Sequence, residues 1–89
     1  MEVDSDFYKT LKEIRDFFDV DCDTSRWFAQ AYVSWYRPGN RLVDLEGVTY
    51  LDSGRFGLFV KMLRLRNHGS WDDYALFELE RYAIKLYDL

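Results

Sequence analysis

The sequence predicts a mostly α fold (α+β): a compact four-helix domain with one short β-hairpin between helices 2 and 3, spanning residues 1–89 as one domain. Three observations predict it. Apolar residues recur at helical spacing in four separate stretches. Ser, Thr or Asp stands before each stretch, where a helix start needs a side-chain acceptor. The 89 residues are 48% hydrophobic, enough for one core and too few for two.

The first stripe is Phe7, Leu11, Ile14 and Phe18, with Asp4 or Ser5 as N-cap and Asp6 favourable in the first turn. The acidic run 19–23 breaks it. Asp23 or Thr24 then caps a second helix carrying Phe28, Ala31, Tyr32 and Trp35, which stops at Arg37-Pro-Gly-Asn40. Residues 30–36 also read as a strand entering that turn, but the cap and the spacing agree on helix. Residues 41–51 hold two short apolar runs around Glu46-Gly47 and form the expected hairpin, which must pack on helices to persist.

Asp52 or Ser53 starts helix 3. It carries Phe56, Phe59, Val60 and Leu63 on one stripe and Leu58, Met62 and Leu65 on a second, so it is expected to be the central, most buried helix. His68-Gly69 reads as its end, and Ser70-Trp-Asp-Asp73 as the start of helix 4. Helix 4 places Trp71, Ala75, Leu79, Tyr82 and Leu86 on one face. Tyr74, Phe77 and Ile84 lie off it, and this surplus apolar surface predicts a homodimer.

Charge is segregated along the chain. Residues 1–24 carry eight acids and three bases, residues 25–68 seven bases and three acids, and residues 69–89 five acids and two bases. The acidic ends can close on the basic middle, or present opposite faces to a partner. Seventeen aromatic residues in 89 exceed what a small core holds, which leaves rings at the surface, where Tyr and Trp anchor interfaces. A lone Cys22, no signal peptide and no membrane-spanning apolar run predict a cytoplasmic protein without membrane contact.

No catalytic constellation emerges. His68 is the single histidine and sits at an expected helix end, where interaction with the last carbonyls accounts for it. Cys22 lies among acids, which raise a thiol's pKa. Asp19-x-Asp21-x-Asp23 matches the opening of a Ca²⁺ loop, but Thr24 and Gln30 stand where the turn glycine and the bidentate glutamate belong. Ser53-Gly-Arg-Phe-Gly57 could hold an anion weakly, and capping explains it equally well. No catalytic residue, metal site or cofactor is implied.

The expected function is a non-enzymatic protein-binding module, a small inhibitor that docks on and blocks another protein, such as a nuclease or nucleic-acid-binding protein. Size and composition alone liken it to phage anti-defence (anti-CRISPR) and immunity proteins, and no motif carries that likeness. Its expected contacts are the acidic segment (Asp16, Asp19, Asp21, Asp23), the surplus aromatics (Trp35, Tyr36, Tyr74) and the basic strip (Lys61, Arg64, Arg66). The acidic face could in part mimic a nucleic acid by setting carboxylates where phosphates would lie. The rival reading is a small nucleic-acid-binding regulator using Arg55, Lys61, Arg64 and Arg66, with Arg37 and Arg41 nearby. A pI of about 4.8 and sixteen acids count against direct nucleic-acid binding.

Overall fold

Helix α1 (Glu2–Phe18) buries Phe7, Leu11, Ile14 and Phe18 on one side, with Phe17 and Thr10 beside them. The predicted stripe is therefore the core stripe. The computed structural model describes residues 2–39, 42–67 and 71–89, and the side chains from Asp6 onward. The helix begins at Glu2, upstream of the Asp4 or Ser5 start read from the sequence, whose side chains lie outside the described residues. Asp21 turns the chain after α1 in the left-handed region, at φ +60°, which a short polar side chain tolerates.

Helix α2 (Asp23–Tyr36) covers residues 30–36, so helix prevails over strand there. Its cap is Cys22, not Asp23 or Thr24. The Cys22 thiol accepts from the Ser25 amide at 3.4 Å, while the Cys22 amide donates to the Ser25 hydroxyl at 2.8 Å. This reciprocal pair satisfies two orphan donors at once. Ser25 is buried because the same hydroxyl also lies 2.9 Å from the Tyr87 hydroxyl of the last helix.

The expected β-hairpin at 41–51 is absent. Asn40 and Arg41 lie outside the described residues, and Leu45–Tyr50 is a 3₁₀ helix. Asp44 decides this locally: its carboxylate accepts from the Glu46 amide, and its carbonyl accepts from Gly47 at 3.0 Å. The Trp27 indole donates to the same carbonyl at 2.8 Å, engaging a group that a strand ladder would have needed. Among the described residues there is no strand, so the architecture there is all-helical rather than α+β.

Helix α3 (Ser53–Leu63), capped by Asp52 as expected, buries only Leu58 and Met62. The stripe of Leu58, Met62 and Leu65 is the buried one; on the other, Phe56 is 48% exposed and Leu63 is exposed while Phe59 packs on Trp27 and Phe28, so α3 is not the central helix. Eleven residues resting mainly on α1 bury one stripe fully, and the other is covered only where Phe59 meets Trp27 and Phe28 of α2. The central helix is α2, which buries Phe28, Ala29, Ala31, Tyr32 and Val33 between α1 and α4. A short 3₁₀ segment, Leu65–Asn67, follows α3 and buries Leu65. His68, Gly69 and Ser70, and with them the helix end and start read there, lie outside the described residues.

Helix α4 (Asp73–Tyr87) is capped by Asp72, two residues past the Ser70 start. It buries Leu76, Leu79, Glu80, Ala83 and Tyr87, whereas Trp71 and Leu86 of the expected stripe are exposed. Trp71 precedes the helix, so counting from it rotated the stripe. Glu80 hid the true stripe because a charged residue reads as surface. It is only 1% exposed, and Arg37 reaches both of its oxygens at 2.8 and 2.9 Å. That fork of charge-assisted bonds satisfies a carboxylate that would otherwise be costly to bury.

The α2–α4 seam is the most extensive in the fold. Across it Tyr32 donates to the Leu76 carbonyl at 2.7 Å, while Tyr87 ties α4 to the end of α1 by donating to the Phe18 carbonyl. The α1–α3 seam is instead closed at its rim by charge, with Lys61 on Glu13 at 3.4 Å. No helix among the described residues is long and apolar enough to cross a membrane.

Candidate functional site

Among the described residues, the fold gives five of the chain's arginines aromatic partners. Arg15 lies 4.2 Å over the Tyr82 ring and Arg55 4.4 Å over Phe17. Arg37 lies over Tyr36 and Arg26 over Tyr87. Arg66 is the most enclosed. It sits 4.6 Å from the Trp35 ring, 5.0 Å from Tyr36 and 5.7 Å from Trp71. Its guanidinium also donates to the Tyr36 carbonyl at 3.0 Å and reaches the Trp35 carbonyl at 3.5 Å. Arg66 thus closes the C-terminal end of α2, where orphan carbonyls favour a cation.

One concave region has rings and carboxylates but none of these cations. A cleft of about 560 Å³ opens between the start of α2 and the first 3₁₀ helix. Its lining is Asp23, Thr24, Trp27, Asp44, Glu46, Gly47 and Tyr50. Trp27 is half-buried, tilted against Phe59 at 5.6 Å and pinned by its bond to Asp44. Gly47 permits this closeness, since a Cβ there would lie 2.2 Å from the indole nitrogen. Tyr50 is 71% exposed, and Leu45 beside it on the same 3₁₀ helix projects into solvent. No ion pair among the described residues involves Asp21, Asp23, Asp44 or Glu46. Nor do three carboxylates there converge closely enough to hold a metal ion.

The residues expected to bind a partner do not form one face. Asp16 pairs with Lys12 at 3.2 Å on exposed α1. Asp19 accepts from Tyr82, whose own hydroxyl is pushed up in pKa mainly by that bond. Asp21 is exposed in the turn, and Asp23 alone of the four lines the cleft. Trp35 and Tyr36 are half-buried around Arg66, while Tyr74 is 67% exposed on α4. Burial, and then the hydrogen bond to Asp73, raises the Tyr36 pKa.

In the basic strip, Lys61 is taken by Glu13 and Arg66 is turned inward. Arg64 lines a groove with Asp6, Lys9, Thr10 and Glu13. The acidic N-terminal segment therefore closes on the basic middle, one of the two arrangements its charge pattern allows. At Ser53–Gly57 the Asp52 carboxylate occupies the helix start, accepting from the Arg55 amide at 2.8 Å.

Cys22 departs from expectation. Its thiol pKa is lowered, first by the Ser25 backbone amide and then by the Ser25 hydroxyl, while Asp23 opposes the shift only weakly. The cap outweighs the acidic neighbourhood. The sequence alone does not mark Trp27, Asp44, Glu46 and Tyr50 as binding residues. The available signal was Trp27 itself, a large ring one position off the α2 core stripe. No protein-family model, no curated protein and no solved structure matches the chain.

Proposed function

We propose that the chain is a non-enzymatic protein-binding module of the inhibitor type, acting in the cytoplasm. It docks its carboxylate end on a basic surface of a partner protein and blocks it. One observation carries this reading. Asp23, Asp44 and Glu46 surround the Trp27–Tyr50 cleft with no cation among the described residues lining it, whereas Lys61 and Arg66 are engaged within the fold. Exposed aromatic area supplies affinity at low entropic cost, and unneutralised charge supplies steering and register. A partner that binds nucleic acid would offer such a basic surface, and Asp21 and Asp23 could then lie where phosphates lie.

The test is affinity capture from the native host's lysate, with and without nuclease, using the parent chain and the Asp23→Lys/Glu46→Lys variant. One dominant protein is expected in both nuclease arms and should be lost with the variant. Equal capture by the variant would remove the carboxylate end from the interface. Recovery that vanishes with nuclease would replace the protein-binding reading with direct nucleic-acid binding.

A further inference from the structure

Resting on that reading, we infer that the Trp27–Tyr50 cleft is an arginine receptor, taking one guanidinium side chain of the partner against its rings and carboxylates. The molecule supplies the pattern itself. Arg37 combines a ring with a carboxylate, Tyr36 with Glu80, and Arg55 combines Phe17 with Asp52 at 3.5 Å. Arg66 replaces the carboxylate with two carbonyls. The cleft has the same ingredients, two rings and three carboxylates, and no guanidinium over either ring among the described residues.

Cleft geometry narrows the choice of cation. The carboxylates are spread around the opening rather than gathered at one point, which suits an extended planar group with five donors better than a metal ion. Lysine offers a point charge that cannot stack and pair at once. A cleft of about 560 Å³ leaves room for one long side chain.

The experiment is an NMR titration of the intact chain with a blocked Gly-Arg-Gly peptide, its citrulline counterpart and its lysine counterpart. The reporter is the Trp27 indole N–H, already held by the Asp44 carbonyl. A saturable shift at Trp27 is expected with arginine, none with citrulline, and weaker binding with lysine. Asp23→Asn with Glu46→Gln removes charge without changing shape and should weaken arginine binding on the order of fivefold. An unchanged signal dispersion confirms that this variant still folds.

Equal shifts from arginine and citrulline, or undiminished binding by the double variant, would overturn the inference. If the peptide leaves Trp27 unmoved while a host protein is still captured and lost on charge reversal, the arginine receptor fails and the protein-binding reading stands. If the peptide binds as expected but no protein is captured, the receptor stands and that reading fails.

Discussion

Two aromatic clusters of this molecule differ in where their charge partner comes from. Around Trp35, Tyr36 and Trp71 the chain inserts its own Arg66, which ties the end of α2 to the segment after α3. Around Trp27 and Tyr50 it sets Asp23, Asp44 and Glu46, with no cation among the described residues lining the cleft. Exposure alone does not separate the two, since Trp71 of the first is 40% exposed while Trp27 of the second is half-buried. What separates them is whether folding satisfies the electrostatics of the rings. The first cluster belongs to the scaffold, and the second is the one we propose for another molecule.

The largest effect should follow from emptying the filled cluster. Arg66→Ala removes hydrogen bonds to two carbonyls and three ring contacts. Bonds from a charged donor contribute about 1.5–3 kcal/mol, so a loss of about 2 kcal/mol is expected. Urea unfolding should show a lower midpoint at unchanged slope. Arg66→Lys should recover only part, because an ammonium cannot serve both carbonyls while stacking. If Arg66→Ala unfolds with the parent's midpoint, the guanidinium is not part of the scaffold, and the two clusters do not differ in this way.

A smaller and more local effect is expected at the open cleft. Gly47→Ala would place a methyl group 2.2–2.5 Å from three indole atoms of Trp27. Overpacking of this kind costs about 1–3 kcal/mol in a rigid core. The 3₁₀ helix of Gly47 has no buried residue, so it should lift away rather than strain the bundle. A global loss of about 1 kcal/mol or less is therefore expected, together with loss of the Trp27–Asp44 bond, read as faster exchange of the indole proton. A parent-like exchange rate would mean that the indole packs elsewhere in solution.

The same contrast explains what could be read from the chain. The α1 stripe and the α2 helix were legible because Phe7, Leu11, Ile14, Phe28 and Tyr32 follow period and burial together. The α4 stripe was not, because Glu80 looks like surface until Arg37, 43 residues away, reaches it. The 3₁₀ helix read as a hairpin because its apolar alternation was real, while the competing Asp44 cap and Trp27 bond are a local and a tertiary feature that no period reveals. The site shared this fate. Asp23 could be named from the acidic run, but its partners Asp44, Glu46 and Tyr50 come from a segment whose place is fixed by an indole bond. Segregated charge was visible, and which charges fold onto one another was not.

The smallest effect concerns a carboxylate beside the filled cluster. Asp72 follows Trp71, caps α4 and accepts from the Tyr8 hydroxyl at 2.7 Å. That hydroxyl, and then the Ala75 and Tyr74 amides, hold its carboxyl below the usual aspartate range. Its folded pKa thus lies below its unfolded value of about 3.9. On acidification the unfolded chain takes up the proton first. The stability contributed by this group is therefore fully present above about pH 5 and is lost as pH falls through the folded value. Asp72→Asn keeps a capping acceptor but cannot titrate, so its stability should decline less steeply below about pH 4 than the parent's. Tyr8→Phe removes the largest cause and should shift the curve the same way by a smaller amount. Urea midpoints measured from pH 6 to pH 2 would show it. A variant curve parallel to the parent's would mean that the Tyr8 bond does not favour the ionised form. Asp72 would then be a cap whose charge folding does not use, and the contrast with the cleft carboxylates would rest on Arg66 alone.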